Sequence, residues 1–309
     1  MQALVQVVLP VFLVIGFGYA IAWRNIMSSE TVEGLMTFAQ KIAIPCLLFR
    51  AISSLDLSQE FDLRLLASFY TGALTGFSVG LLGARYLFGR PWTDSVAIGF
   101  IGLFSNSVLL GLPITERAYG PDALSANFTI IALHSPFCYA VGITAMEIAR
   151  ARGKSPLLLF GSIVKSIFSN ALVIGIVLGF AVNLSGLPTP EVVANALDLV
   201  ARAGIPAALF GLGGVLWRYR PEGDLLTIAF ACAMSLIVHP LITFGLSNAL
   251  DLSQAQMRSA VLTAAMAPGV NAYIFADMYG CAKRVAATSV LVGTALTVLT
   301  AWGWLTLLG

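Results

Sequence analysis

Apolar residues in this chain come in long blocks rather than in alternation. Blocks run over residues 2–23, 34–53, 65–88, 95–119, 124–148, 157–183, 191–217, 225–250, 256–278 and 285–308. Each is about 20 residues or slightly more, the helical length that spans the hydrocarbon of a bilayer. Barrel strands would instead show about ten residues of strict alternation, which is absent. The pattern predicts a polytopic all-α membrane protein of ten transmembrane helices. Two blocks carry interruptions at matching places in the two halves. Residues 105–120 read SNSVLLGLPITERAYG and residues 265–280 read AMAPGVNAYIFADMYG. Each puts Gly, Pro and Asn inside an apolar span and closes on Tyr-Gly. Proline removes a backbone donor and glycine weakens a helix, so both spans are expected to unwind midway. Freed backbone groups are tolerated in a membrane only where protein or a watery cavity satisfies them. One break in each half points to a transport site near the bilayer midplane.

Composition agrees with the pattern: 58% of residues are hydrophobic, 10% are charged, and the mean hydropathy is +0.90. The connections are short, so no soluble domain is expected. The first block begins at once, without a basic leader or a cleavage signal, and is read as a retained span. A net charge of +2 gives no case for nucleic acid. Cys46, Cys138, Cys232 and Cys281 all fall in or at the end of apolar blocks without CxxC spacing, so neither a metal site nor a disulfide framework is expected, and no cofactor is implied. Orientation follows Lys and Arg in the short loops. Arg24, Arg85, Arg90, Arg150, Arg152, Lys154, Arg218, Arg220, Lys283 and Arg284 flank one set. Arg50, Arg64, Arg117 and Arg258 flank the other, together with Asp56, Glu60, Asp62, Asp122 and Asp251. In a cell membrane this places both termini outside and the ARARGKS loop in the cytoplasm.

The halves also align with each other. KIAIPCLLF from Lys41 matches RAGIPAALF from Arg202, so that the cation, Ile-Pro and Leu-Phe coincide. Gly18-Tyr19-Ala20 matches Gly179-Phe180-Ala181 at the same offset, and the two Tyr-Gly pairs fall within one residue of it. Five spans per half is an odd number, so the second half enters the membrane from the opposite side. Residues 1–154 and 155–309 are therefore expected to form two inverted five-helix repeats, with helices four and nine broken and crossing.

The run Asn106-Ser-Val-Leu-Leu-Gly111-Leu-Pro113-Ile with Ala118-Tyr-Gly120 resembles the broken fourth helix of the auxin efflux carrier family. The run Pro268-Gly-Val-Asn-Ala-Tyr-Ile-Phe-Ala276 with Tyr279 resembles its broken ninth helix, and Lys41 with Pro45 resembles its second. The resemblance covers essentially the whole chain. It implies two inverted repeats, crossing broken helices, a homodimer, and transport of organic anions: auxin in plants, dicarboxylates such as malonate or malate in bacteria. The chain departs from the family in three places. Spans five and six are joined by only about ten residues, where the plant carriers have a long hydrophilic loop or a shorter connection. Ala272 stands where the plant carriers have the crossover proline, with Pro268 four residues earlier. Glu116-Arg117 is more charged than the usual sequence.

The residue types suit an anion. The second halves of the broken helices are expected to begin around Pro113 and around Gly269–Asn271. Helix N-termini carry unpaired N–H groups and about half a positive charge, enough to hold a carboxylate without a fixed cation. Candidate substrate-binding residues are Ser105, Asn106, Gly111 and Pro113 from the first break, Pro268, Gly269 and Asn271 from the second, and Lys41. Asn106 and Asn271 could bind substrate or tie loose peptide ends; Lys41 could face a cavity or snorkel to the interface. Asp198 precedes Arg202 by one turn, which predicts an intrahelical ion pair. Asp277 is interfacial or proton-coupling; His134 and His239 are packing residues or proton relays. The leading expectation is a secondary carrier of small organic anions, coupled to protons, to sodium or to neither, with spans one, two, six and seven as scaffold. A membrane-embedded enzyme would need converging catalytic residues, and none is visible. A channel and a transporter-like sensor stay open.

Overall fold

The computed structural model describes residues 2–55, 62–150, 161, 164, 171–186, 188–219 and 224–309. In chain order the helices are α1 (Leu4–Trp23), α2 (Ser29–Ser53), α3 (Leu63–Tyr86), α4 (Trp92–Leu103), α5 (Leu112–Tyr119, entered through a π turn at Ser107–Gly111), α6 (Leu124–Ala149), α7 (Ala171–Ser185), α8 (Glu191–Arg218), α9 (Leu225–Ala249), α10 (Gln254–Ala264), α11 (Val270–Tyr279) and α12 (Lys283–Leu308). Seven of these, α1, α2, α3, α6, α8, α9 and α12, are long and apolar enough to cross a membrane. Helices α4 and α5, and α10 and α11, are the halves of the two interrupted segments. Arg152 and Lys154 of the ARARGKS loop, Asp56, Glu60 and Arg220 lie outside the described residues.

Side chains mark the helix starts. Ser28, Asp62 and Asp224 each accept a first-turn N–H of α2, α3 and α9, and Ser253 forms a capping box with Gln256 at α10. The two Tyr-Gly pairs are helix ends: Gly120 and Gly280 sit at φ 85° and 71°, a region that favours glycine. Four prolines follow a common device. Pro10, Pro45, Pro113 and Pro240 each stand two residues after a π turn. In three of them the residue before the proline donates its N–H five residues back: Ile44 to Ala39, Leu112 to Ser107 and His239 to Met234. The wider turn takes up the carbonyl that a proline ring would otherwise crowd.

The chain divides into two compact units. One comprises Leu9–Phe61 and Val164–Arg218, hence most of α1 with α2, α7 and α8, the four spans expected to act as scaffold. Here glycines let backbones touch: a Cβ on Gly18 would lie 1.9 Å from the Phe210 carbonyl oxygen, and one on Gly213 1.9 Å from that of Ile15. Asn183 of α7 donates to the carbonyls of Ile52, Ser53 and Leu55, closing the end of α2. The expected Asp198–Arg202 pair is corrected. Asp198 takes the guanidinium fork of Arg50 on α2, at 2.7 and 3.2 Å, because two parallel hydrogen bonds across helices outdo a single contact along one.

The other unit comprises Met1–Val8, Asp62–Ile163 and Tyr219–Gly309. Gly76 of α3 and Gly102 of α4 pack backbone to backbone. Phe100 of α4 stacks on Phe275 of α11 at 4.0 Å, with Phe104, Tyr139 and Tyr279 around them. Both interrupted segments lie in this unit.

Gly213→Ala is expected to destabilise the four-helix unit by about 1–3 kcal/mol, the usual cost of overpacking. Gly16→Ala, with open space around its Cβ, is the control expected to leave the unfolding temperature unchanged.

Candidate functional site

The two breaks pair with each other. Helix α4 ends at Leu103 and α10 at Ala264, and the extended residues that follow run side by side in opposite directions. Asn106 donates its N–H to Ala267 O at 2.8 Å, and Gly269 donates its N–H to Phe104 O at 2.8 Å. Ser105 and Pro268 face each other between these bonds. In such an antiparallel pair the facing residues make neither bond themselves, so the missing N–H of Pro268 costs nothing. Glycine is called for twice around the pair. A Cβ on Gly293 of α12 would come within 2.7 Å of the Pro268 ring, and one on Gly269 within 3.1 Å of the Phe104 ring.

Other freed groups of the two breaks find partners too. Ser105 O accepts from Ser107 N at 2.8 Å and from His134 Nε2 of α6 at 3.1 Å. Met266 O accepts from Ser235 Oγ of α9 at 3.2 Å, and Asn106 O takes the N–H groups of Leu110 and Gly111. These bonds use much of the main chain of the two breaks in a place where water cannot be assumed.

The side chains leave donors over. Asn106 is 5% exposed; its Oδ1 accepts from Leu109 N and caps the π turn, while its Nδ2 has no partner. Half-buried Asn271, in the first turn of α11, accepts on Oδ1 from Tyr139 OH at 3.1 Å. That bond directs the amide nitrogen of Asn271 away from Tyr139 as a donor. Ser105 Oγ is buried and unpartnered as well. Both asparagines commit their oxygen to the protein and keep their NH₂ groups. A buried donor left unpaired costs about 1–3 kcal/mol. The segments Phe104–Ser107 and Met266–Asn271 carry no charged residue, so an acceptor-rich anion would meet neutral donors and the N-terminal end of α11.

The candidates read from the sequence therefore fall into three places. Ser105, Asn106, Pro268 and Gly269 form the paired breaks, with Asn271 in the first turn of α11. Gly111 and Pro113 lie further along, in the π turn and the first turn of α5. The expected start of that half-helix at Pro113 is corrected: the helical turns begin at Ser107, because Asn106 caps them and the π turn absorbs the proline. Lys41 belongs to the four-helix unit. It is exposed, sits in the π turn of α2, and lines a cavity of about 410 Å³ whose other walls include Pro45, Phe49, Ile174, Leu178 and Leu197. Asp277 is paired with Lys283 at 2.7 Å, both half-exposed. His134 and His239 are buried and bonded to main-chain carbonyls, of Ser105 and Phe69. Their rings both pack on Phe69, a juxtaposition that sequence distance hides. Tyr139 and Ser235 were missed as parts of the site, since nothing local in α6 or α9 marks them; His134, read as a packing residue or proton relay, instead bonds the Ser105 carbonyl. Among the described residues no three His, Cys, Asp or Glu side chains are grouped to hold a metal ion.

The sequence profile of the membrane transport protein family matches residues 3–305, and the chain belongs to that family, which includes the auxin efflux carriers. A Rhizobium meliloti protein named "Putative malonate transporter" is 25% identical over 316 residues, covering 100% of this chain and 97% of that one. A Methanothermobacter thermautotrophicus protein named "Uncharacterized transporter" is 25% identical over 276 residues, covering 88% and 87%. Auxin efflux carrier component 8 of Arabidopsis thaliana is 21% identical over 349 residues, covering 94% and 93%. The protein is a multi-pass membrane protein of a transporter family.

Gly293→Ala is expected to push on the Pro268 ring and lower the unfolding temperature, again by the equivalent of about 1–3 kcal/mol. Gly111→Ala meets only ordinary contacts, its closest neighbour at 3.7 Å, and is expected to change it little. Thermal unfolding in detergent compares the two directly.

Proposed function

We propose that this protein is a secondary carrier of small organic anions, carboxylates in particular, which binds its substrate at the paired breaks and moves it by alternating access. One observation carries the reading. Asn106 and Asn271 keep unpartnered amide donors beside the paired breaks and the first turn of α11. A carboxylate offers lone pairs to several donors at once and gains from the positive end of a helix. The names of the Rhizobium and Arabidopsis relatives, which speak of malonate and auxin, support the same substrate class. Ser105, Pro268 and Gly269 shape the site, while Gly111 and Pro113 support the half-helix behind Asn106. Lys41 is proposed as an anion-attracting charge within its own unit.

Counting each interrupted pair as one span, and α7 as one, gives the ten-helix, twice-repeated architecture that we favour. Each compact unit draws helices from both halves of the chain, which supports an inverted repeat. On this reading the two units are the parts that move, both termini lie outside the cell, the membrane is the cell membrane and the assembly is a homodimer. The coupling ion, H⁺, Na⁺ or none, is a matter for ion-gradient experiments.

Asn106→Asp keeps the capping oxygen for Leu109 and replaces the free donor by a negative oxygen. Burying an unpaired charge at a position 5% exposed is expected to lower the unfolding temperature, and the protein that folds is expected to lose saturable uptake of carboxylates. Normal uptake by Asn106→Asp would remove the paired breaks as the binding site. Lys41→Ala is expected to weaken carboxylate affinity more than Lys41→Arg; equal effects would assign Lys41 to packing.

A further inference from the structure

We infer that His134 is a positioning residue of the carrier, holding the peptide plane that aims Asn106. The inference rests on the carboxylate site proposed above and adds a residue to it from a different helix. The peptide unit between Ser105 and Asn106 is gripped at both ends. Its N–H donates to Ala267 O at 2.8 Å, and its C=O accepts from His134 Nε2 at 3.1 Å. A peptide unit is planar and turns as one body. Ser105 O also takes Ser107 N–H at 2.8 Å, but that bond lies within the same short turn and moves with it; the imidazole ties the carbonyl end to a separate helix and so fixes the direction in which the next residue leaves. That residue is Asn106, whose unpartnered Nδ2 is the donor assigned to the substrate.

The imidazole is itself held in place. His134 is 2% exposed. Its ring meets Phe104 edge-on at 4.6 Å and Phe69 at 5.7 Å, with Tyr70 at 6.3 Å. Phe104 in turn closes on Gly269 of the second break, so the imidazole is braced by the structure it supports. A carbonyl oxygen only accepts, so the proton resides on Nε2. Nδ1 is then the unprotonated nitrogen and faces Cys138 Sγ at 3.8 Å, one turn further along α6. Cys138 also lies 3.7 Å from Leu103 O, the last residue of α4. One face of α6 therefore serves carbonyls at the end of α4 and in the break.

The test compares three variants at one position, in the full-length protein reconstituted in liposomes, with labelled malonate and a panel of mono- and dicarboxylates as probes. Glutamine places an amide N–H near the Nε2 position; asparagine reaches only as far as Nδ1, and leucine donates nothing. His134→Leu and His134→Asn are expected to raise the half-saturation concentration about three- to tenfold, the worth of one net hydrogen bond, with His134→Gln restoring it. Indistinguishable half-saturation in Leu and Gln variants, or no change from the parent in either, would overturn the inference while leaving the carrier reading intact. Failure of the parent protein to take up any probe would count against the carrier reading instead. A measurement without variants reads His134 in either case. The chain has two histidines, and both donate through Nε2 to main-chain carbonyls. Nitrogen NMR of ¹⁵N-histidine-labelled, tag-free protein is expected to report only the Nε2–H tautomer. A proton on Nδ1 of His134 would overturn the assignment.

Discussion

A peptide group in hydrocarbon has no water to fall back on, and everything distinctive in this protein follows from that constraint. Breaking a membrane helix exposes N–H and C=O groups that cost several kcal/mol each if they stay unpaired. Two breaks can relieve each other where one could not. The segments after α4 and α10 lie antiparallel and exchange two hydrogen bonds, Asn106 to Ala267 and Gly269 to Phe104. Two further carbonyls, of Ser105 and Met266, are met by His134 and Ser235 from flanking helices. Proline and glycine are admitted where this geometry needs no donor or no side chain: Pro268 between the two bonds, and Gly293 against its ring.

The chemistry of the site is the remainder of this accounting. Many main-chain groups of the breaks are used, whereas the amide nitrogens of Asn106 and Asn271 and the hydroxyl of Ser105 are not committed to the protein. A site built from neutral donors and a helix end attracts an anion without the desolvation cost of a buried cation. Lys41, in the four-helix unit, is the fixed charge on the wall of an otherwise apolar cavity.

Much of this was legible in the sequence, for reasons that can be named. Span length is set by bilayer thickness, so the apolar blocks were readable at once. Interruption by Gly, Pro and Asn located the breaks, and the Tyr-Gly pairs marked helix ends where Gly120 and Gly280 adopt positive φ. Two readings went astray because a local rule met a competitor from elsewhere. Pro113 looked like the breaking residue, but a π turn accommodates it and Asn106 starts the helical turns upstream; the N-cap preference of asparagine was the signal to weigh. Asp198 looked committed to Arg202 one turn away, but Arg50 on another helix offers two bonds. Tyr139 could not be read as a site residue, since Asn271 lies 132 positions away and nothing local marks the tyrosine; His134 stood out as a buried histidine, but its bond to the Ser105 carbonyl was not legible.

The most direct test of the carrier assignment is counterflow in proteoliposomes of the purified protein. Vesicles are loaded with an unlabelled carboxylate, and entry of the labelled compound is followed for malonate and for a panel of mono- and dicarboxylates. Saturable entry accelerated by internal substrate, and blocked by particular competing carboxylates, is the result expected of a carrier. Entry that rises linearly with concentration and ignores the internal substrate, or no exchange with any of the panel, would contradict it.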